Sequence, residues 1–69
     1  MTGTVRWWRP EKGYGRIAGD ADDYFYFVHF SDLQLEGYKA LTEGQRVEFE
    51  WTGRLAANGR KHASNVRLI

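Results

Sequence analysis

Eleven aromatic side chains in a chain of 69 residues are more than one small domain can bury. Trp7, Trp8, Tyr14, Tyr24, Phe25, Tyr26, Phe27, Phe30, Tyr38, Phe49 and Trp51 compete for interior space with aliphatic residues such as Val5, Ile17, Val28, Leu33, Leu41, Val47 and Val66. A domain of this size buries only about 60% of its unfolded surface, and a small barrel encloses on the order of a dozen side chains. Some rings must therefore lie outside. Single exposed apolar residues need no explanation, but several on one face make a binding surface.

The spacing of the apolar residues predicts short strands. Glycines punctuate the chain throughout, Pro10 is the one proline, and no segment carries a sustained helical period. Five strands are expected, at about Thr2 to Arg9, Tyr14 to Ala18, Tyr24 to Phe30, Gln45 to Thr52 and Lys61 to Leu68. Ser31 to Gly44 forms one long link between the third and fourth, and Ser31-Asp32-Leu33 can start a short helical turn. This pattern predicts an all-β, five-stranded antiparallel Greek-key barrel of the OB type, one domain over residues 1–69. Alternation assigns faces. Val47, Phe49 and Trp51 point into the barrel, as do Ile17 and Val28, whereas Tyr14 and Arg16 share the outer face with Phe27 and His29. Val5 and Trp7 have the same parity but are wanted on opposite faces, so a twist or bulge is required in the first strand.

Composition excludes several kinds of chemistry. Without cysteine there is no disulfide, thiol nucleophile or thiolate metal site, and the chain suits a reducing cytoplasm. His29 and His62 have no metal-ligand spacing, and Gly13-Tyr14-Gly15 lacks the length and following helix of a phosphate loop. No apolar run reaches membrane-spanning length, and none resembles a signal segment. No cofactor, metal, small-molecule substrate or catalytic residue is expected. The net charge is only +1, but Arg6, Arg9, Lys12 and Arg16 cluster early, opposed in that stretch by Glu11 alone. Rings displayed beside such cations either form a surface on which bases stack and phosphates pair, or pack under a long loop or a partner protein.

Gly3-Thr4-Val5-Arg6-Trp7-Trp8, Glu11-Lys12-Gly13-Tyr14-Gly15-Arg16-Ile17 and Phe27-Val28-His29-Phe30-Ser31 resemble the cold-shock domain. Gly37-Tyr38-Lys39-Ala40-Leu41, Glu43-Gly44-Gln45-Arg46-Val47-Glu48-Phe49 and Ala63-Ser64-Asn65-Val66 follow its order, so the resemblance covers essentially the whole chain. It implies a barrel that binds single-stranded RNA or DNA, as an RNA chaperone or a regulator of transcription or translation. Its two ribonucleoprotein motifs correspond to Lys12-Gly13-Tyr14-Gly15-Arg16-Ile17 and Phe27-Val28-His29-Phe30. The match implies stacking by Trp7, Tyr14, Phe27, His29, Phe30 and Tyr38, with Arg6 and Lys12 contacting the strand, and Lys39, beside Tyr38, is a further binding candidate.

Four features depart from the family pattern. Arg16 stands where an aromatic is usual, Arg9 replaces an asparagine, and Phe25 replaces an acidic residue. The connection Arg54 to His62 is longer than usual, and its Arg60, with Arg54 and Lys61, can add phosphate contacts or merely solvate a hairpin tip. The expected partner is single-stranded nucleic acid, bound by a monomer. The alternative is a protein-interaction barrel that docks a partner chain on the same rings.

Overall fold

The computed structural model describes residues 1–22, 24–35, 37 and 39–69. Six strands are present among them: β1 (Thr2–Arg9), β2 (Tyr14–Gly19), β3 (Phe25–His29), β4 (Arg46–Glu50), β5 (Lys61–His62) and β6 (Ser64–Leu68). They form one sheet in the order β5-β3-β2-β1-β4-β6. A 3₁₀ turn, Phe30–Asp32, follows β3. The all-β architecture of OB type is therefore as the sequence predicts.

The expected fifth strand is divided at Ala63 into β5 and β6, which lie at opposite edges of the sheet. One residue joins those edges, so the sheet curls until they meet. Ala63 is fully buried, and its N–H donates to the carbonyl of Phe27 at 2.9 Å. The ladder is antiparallel except where β5 runs parallel to β3, pairing Tyr26 with Lys61 and Phe27 with His62. This corrects the wholly antiparallel expectation.

Inward alternation brings Val5, Ile17, Tyr26, Val28, Val47, Phe49 and Val66 into the core, and Leu33, Leu41 and Ala63 join them from the connections. Burying each large side chain among them is worth about 1.5–3 kcal/mol. Tyr26 and Phe49 are the rings in this set, and they pack with centroids 4.8 Å apart. Trp8 is half-buried against the core, and its Nε1–H lacks a partner among the described residues. Trp51 departs from its assignment. β4 ends at Glu50, and the indole lies outside, donating Nε1–H to the carbonyl of Arg54 at 3.1 Å.

The buried phenol of Tyr26 donates to Asp22 at 2.5 Å. Burial, reinforced by that carboxylate, pushes the phenol up to about 12. The same bond holds Asp22 below the usual carboxylate range. On the outer surface Arg46 makes two bonds to Asp20, at 2.8 and 2.6 Å, and a third to Thr4 at 2.9 Å. Arg46, then the Thr2 hydroxyl, hold the Asp20 carboxyl down at about 2.

Candidate nucleic-acid interface

The register of β1, β2 and β3 places the predicted residues in a grid. Trp7 pairs with Arg16, and Arg16 with Phe27. The next outward row is Arg9, Tyr14 and His29. A register shift between Val5 and Trp7 makes this possible. The extra residue is Arg6, and it sends Val5 to the core while leaving Trp7 outside. The bulge demanded by the parity of Val5 and Trp7 is thus present.

The rings on this face are contiguous. Trp7 meets Tyr14 edge-on at 6.0 Å, and Tyr14 meets Phe27 at 5.6 Å with a 35° tilt. Phe27 in turn abuts His62 at 5.5 Å and 90°. His62 is itself buried and bonded through Nε2 to Asp32 at 2.5 Å. Asp32 also accepts the N–H of His29, so one carboxylate ties His62 to the end of β3.

His29 stacks at 4.4 Å on Phe30, which is 46% exposed. The strand ends at His29, so Phe30 escapes the inward position that strict alternation would assign it. Its ring covers Gly13, where an added Cβ would lie 2.8 Å from Phe30 Cδ1 and where φ is +72°. Both the turn and the overlying ring therefore require glycine. The Nδ1 edge of His29 is held by Ser31, whose amide lies 3.3 Å and whose hydroxyl lies 3.0 Å from it.

Cations flank the rings. Lys12 and Lys39 are exposed around a recess of about 430 Å³ that includes Phe30, Pro10 and Gly13. Arg6 is exposed beside Trp7. The guanidinium groups of Arg9 and Arg16 lie 5.2 and 5.5 Å from the Trp7 ring. Arg60 is exposed at the opposite end, next to Phe25 and Tyr24. Tyr38 lies outside the described residues.

Lys61 is engaged by rings. Its ammonium sits 3.9 Å from the Tyr24 centroid and 4.3 Å from that of Trp51, clasping the two outlying rings. Sequence reasoning missed a second recess of about 320 Å³, formed by Phe27 and His62 with Arg54, Leu55, Ala56, Ala57 and Asn58. No periodicity in that connection signals it, and Arg54 borders it rather than only capping a hairpin tip. Phe25 is 39% exposed and extends the rings by one, with Arg16 at 5.1 Å.

Comparison with known proteins gives a consistent result. The family model of the 'Cold-shock' DNA-binding domain matches residues 1–69. Cold shock-like protein CspE of Escherichia coli (strain K12) is 45% identical over 69 residues, covering 100% of this chain and 93% of that protein. Cold shock-like protein CspC of Bacillus cereus is 48% identical, over 99% of this chain and 100% of its own length. A cold shock-like protein of Aquifex aeolicus is 50% identical over 48 residues, 70% of this chain and 69% of that protein. Among the described residues no helix is long and apolar enough to cross a membrane. With its motifs in register along the whole length and its rings gathered on the strands that carry them, this chain belongs to the cold-shock domain family of nucleic-acid-binding proteins.

Proposed function

We propose that the chain binds single-stranded RNA or DNA across β1, β2 and β3, stacking bases on Trp7, Tyr14, Phe27, His29 and Phe30. Arg6, Lys12 and Lys39 pair with phosphates along the near rim, and Arg60 extends that contact at the far end. Tyr38 is expected to add a further stacking ring. The observation that carries this reading is the unbroken run of rings from Trp7 to Phe27 on the outer face, at spacings of 6.0 and 5.6 Å. Each stacked base contributes about 1–3 kcal/mol and requires no particular sequence. Such binding holds RNA unpaired, which suits a cytoplasmic RNA chaperone or a regulator of transcription or translation. It is a binding role, with no catalytic step and no cofactor. Net charge of +1 makes stacking, rather than counterion release, the main source of affinity.

Titration with a short oligothymidine, followed by tryptophan fluorescence, tests the proposal. Saturable quenching is expected as bases cover Trp7. No change even at low salt would refute it and favour a protein partner on the same face.

A further inference from the structure

Arg16 occupies the centre of the face. Its cross-strand neighbours are Trp7 on β1 and Phe27 on β3, and Tyr14 precedes it by two positions on β2. The guanidinium lies 5.5 Å from the Trp7 ring and 5.1 Å from the Phe25 ring, and the residue is half-buried. Among the described residues no carboxylate pairs with it. The group is thus held between two rings, with its donor edge uncommitted.

Phosphates follow the rim, where Arg6, Lys12 and Lys39 are exposed. A donor fork set among the stacking rings meets base edges instead. A guanidinium makes two parallel bonds only where two acceptors are adjacent. Guanine offers O6 and N7 on the edge away from its pairing face. Adenine offers N7 beside an amino donor, and thymine and uracil place a donor between their carbonyls. Cytosine has O2 and N3, but O2 adjoins the glycosidic bond, where the sugar crowds the approach.

We infer that Arg16 is a specificity-determining residue that selects guanine at one position of the bound strand, by bonding its O6 and N7. This rests on single-strand binding as proposed above. It makes one site on an otherwise sequence-tolerant surface selective.

The test uses thymidine octamers, of about the length one OB barrel covers, with a single central guanine, adenine or 7-deazaguanine. Because the surrounding thymidines are equivalent, the protein can seat the substituted base wherever affinity is greatest. Guanine is expected to bind about 5- to 150-fold more tightly than adenine, the range of one good two-bond contact. Its 7-deaza analogue, which keeps the stacking surface and loses N7, should fall near the adenine value. Arg16→Phe should bind all three octamers alike, and Arg16→Lys should lose most of the preference.

A tie between guanine and adenine would overturn the inference, as would a preference that survives either 7-deaza substitution or Arg16→Phe. A uniform loss across all octamers in Arg16→Phe, with a shallower salt dependence, would place Arg16 on phosphate and equally overturn it. In each of those cases single-strand binding itself stands. Failure of every octamer to bind would instead refute the proposed function.

Discussion

Replacing Phe27 by alanine probes the face at its best-supported ring. Phe27 stands in the row with Arg16 and Trp7, half-buried between Tyr14 and His62. Removing a fully buried phenylalanine costs about 3–5 kcal/mol, and Phe27, which keeps part of its ring in solvent, should cost less than that. A domain of this length has on the order of 3–10 kcal/mol of stability, so the variant should still fold. Its neighbours keep their own supports, since Tyr14 leans on Trp7 and His62 is bonded to Asp32. The loss to binding is one stacking contact, about 1–3 kcal/mol, or about 5- to 150-fold in Kd. Oligothymidine titration followed by Trp fluorescence reads the affinity, and urea denaturation reads the stability in parallel. A folded variant whose Kd stays within about twofold of the parent would refute stacking at this ring, because a twofold change is only about 0.4 kcal/mol.

Four further outcomes are expected. Gly15→Ala should destabilise the domain by about 1–3 kcal/mol in urea denaturation and weaken oligonucleotide binding. Its Cβ would collide with the carbonyl oxygen of Trp7 and lie 2.8 Å from the Trp8 ring, forcing the bulge to move; a fully stable variant would contradict this. For pH, the Asp20 carboxyl is depressed from 3.8 to about 2, so its contribution is complete above pH 3.8 and disappears as pH falls toward 2. The Tyr26 phenol is raised from 10.0 to about 12, so its contribution is complete below pH 10.0 and disappears as pH climbs toward 12. Thermal melts of Asp20→Asn and Tyr26→Phe across those two windows should each show a flattened pH dependence; unchanged curves would contradict the assignments. Lys61→Met should cost about 1 kcal/mol by removing the ammonium from the Tyr24 and Trp51 rings, read by urea denaturation.

Most of the face is legible from local pattern. Alternation in Tyr14 to Ala18 and in Phe25 to His29 separates Ile17 and Val28 from Tyr14, Arg16, Phe27 and His29, because side-chain direction in a strand follows position alone. The conflict between Val5 and Trp7 exposes the need for a bulge, though its place at Arg6 depends on the facing strand. Trp51 is misassigned because alternation continues in the sequence after the hydrogen-bonded ladder has stopped at Glu50. The break at Ala63 is not readable, since nothing local in Lys61 to Leu68 requires a bend. It follows from long-range closure, as does the recess beside Phe27, whose wall comes from residues nearly thirty positions away.

The junction at Ala63 has a consequence for how the protein acquires its grip. Every described ring of the outer face, from Trp7 to Phe30, is encoded in the first half of the chain, yet Ile17, Tyr26 and Val28 beneath them are sealed by Val47, Phe49 and Val66 from the second. A growing polypeptide therefore displays the rings before it can hold them still, and contacts across such sequence distances form last. Affinity should arrive in one late step rather than accumulate with length. A chain cut before Lys61 would keep these rings while losing the rigidity that makes stacking favourable.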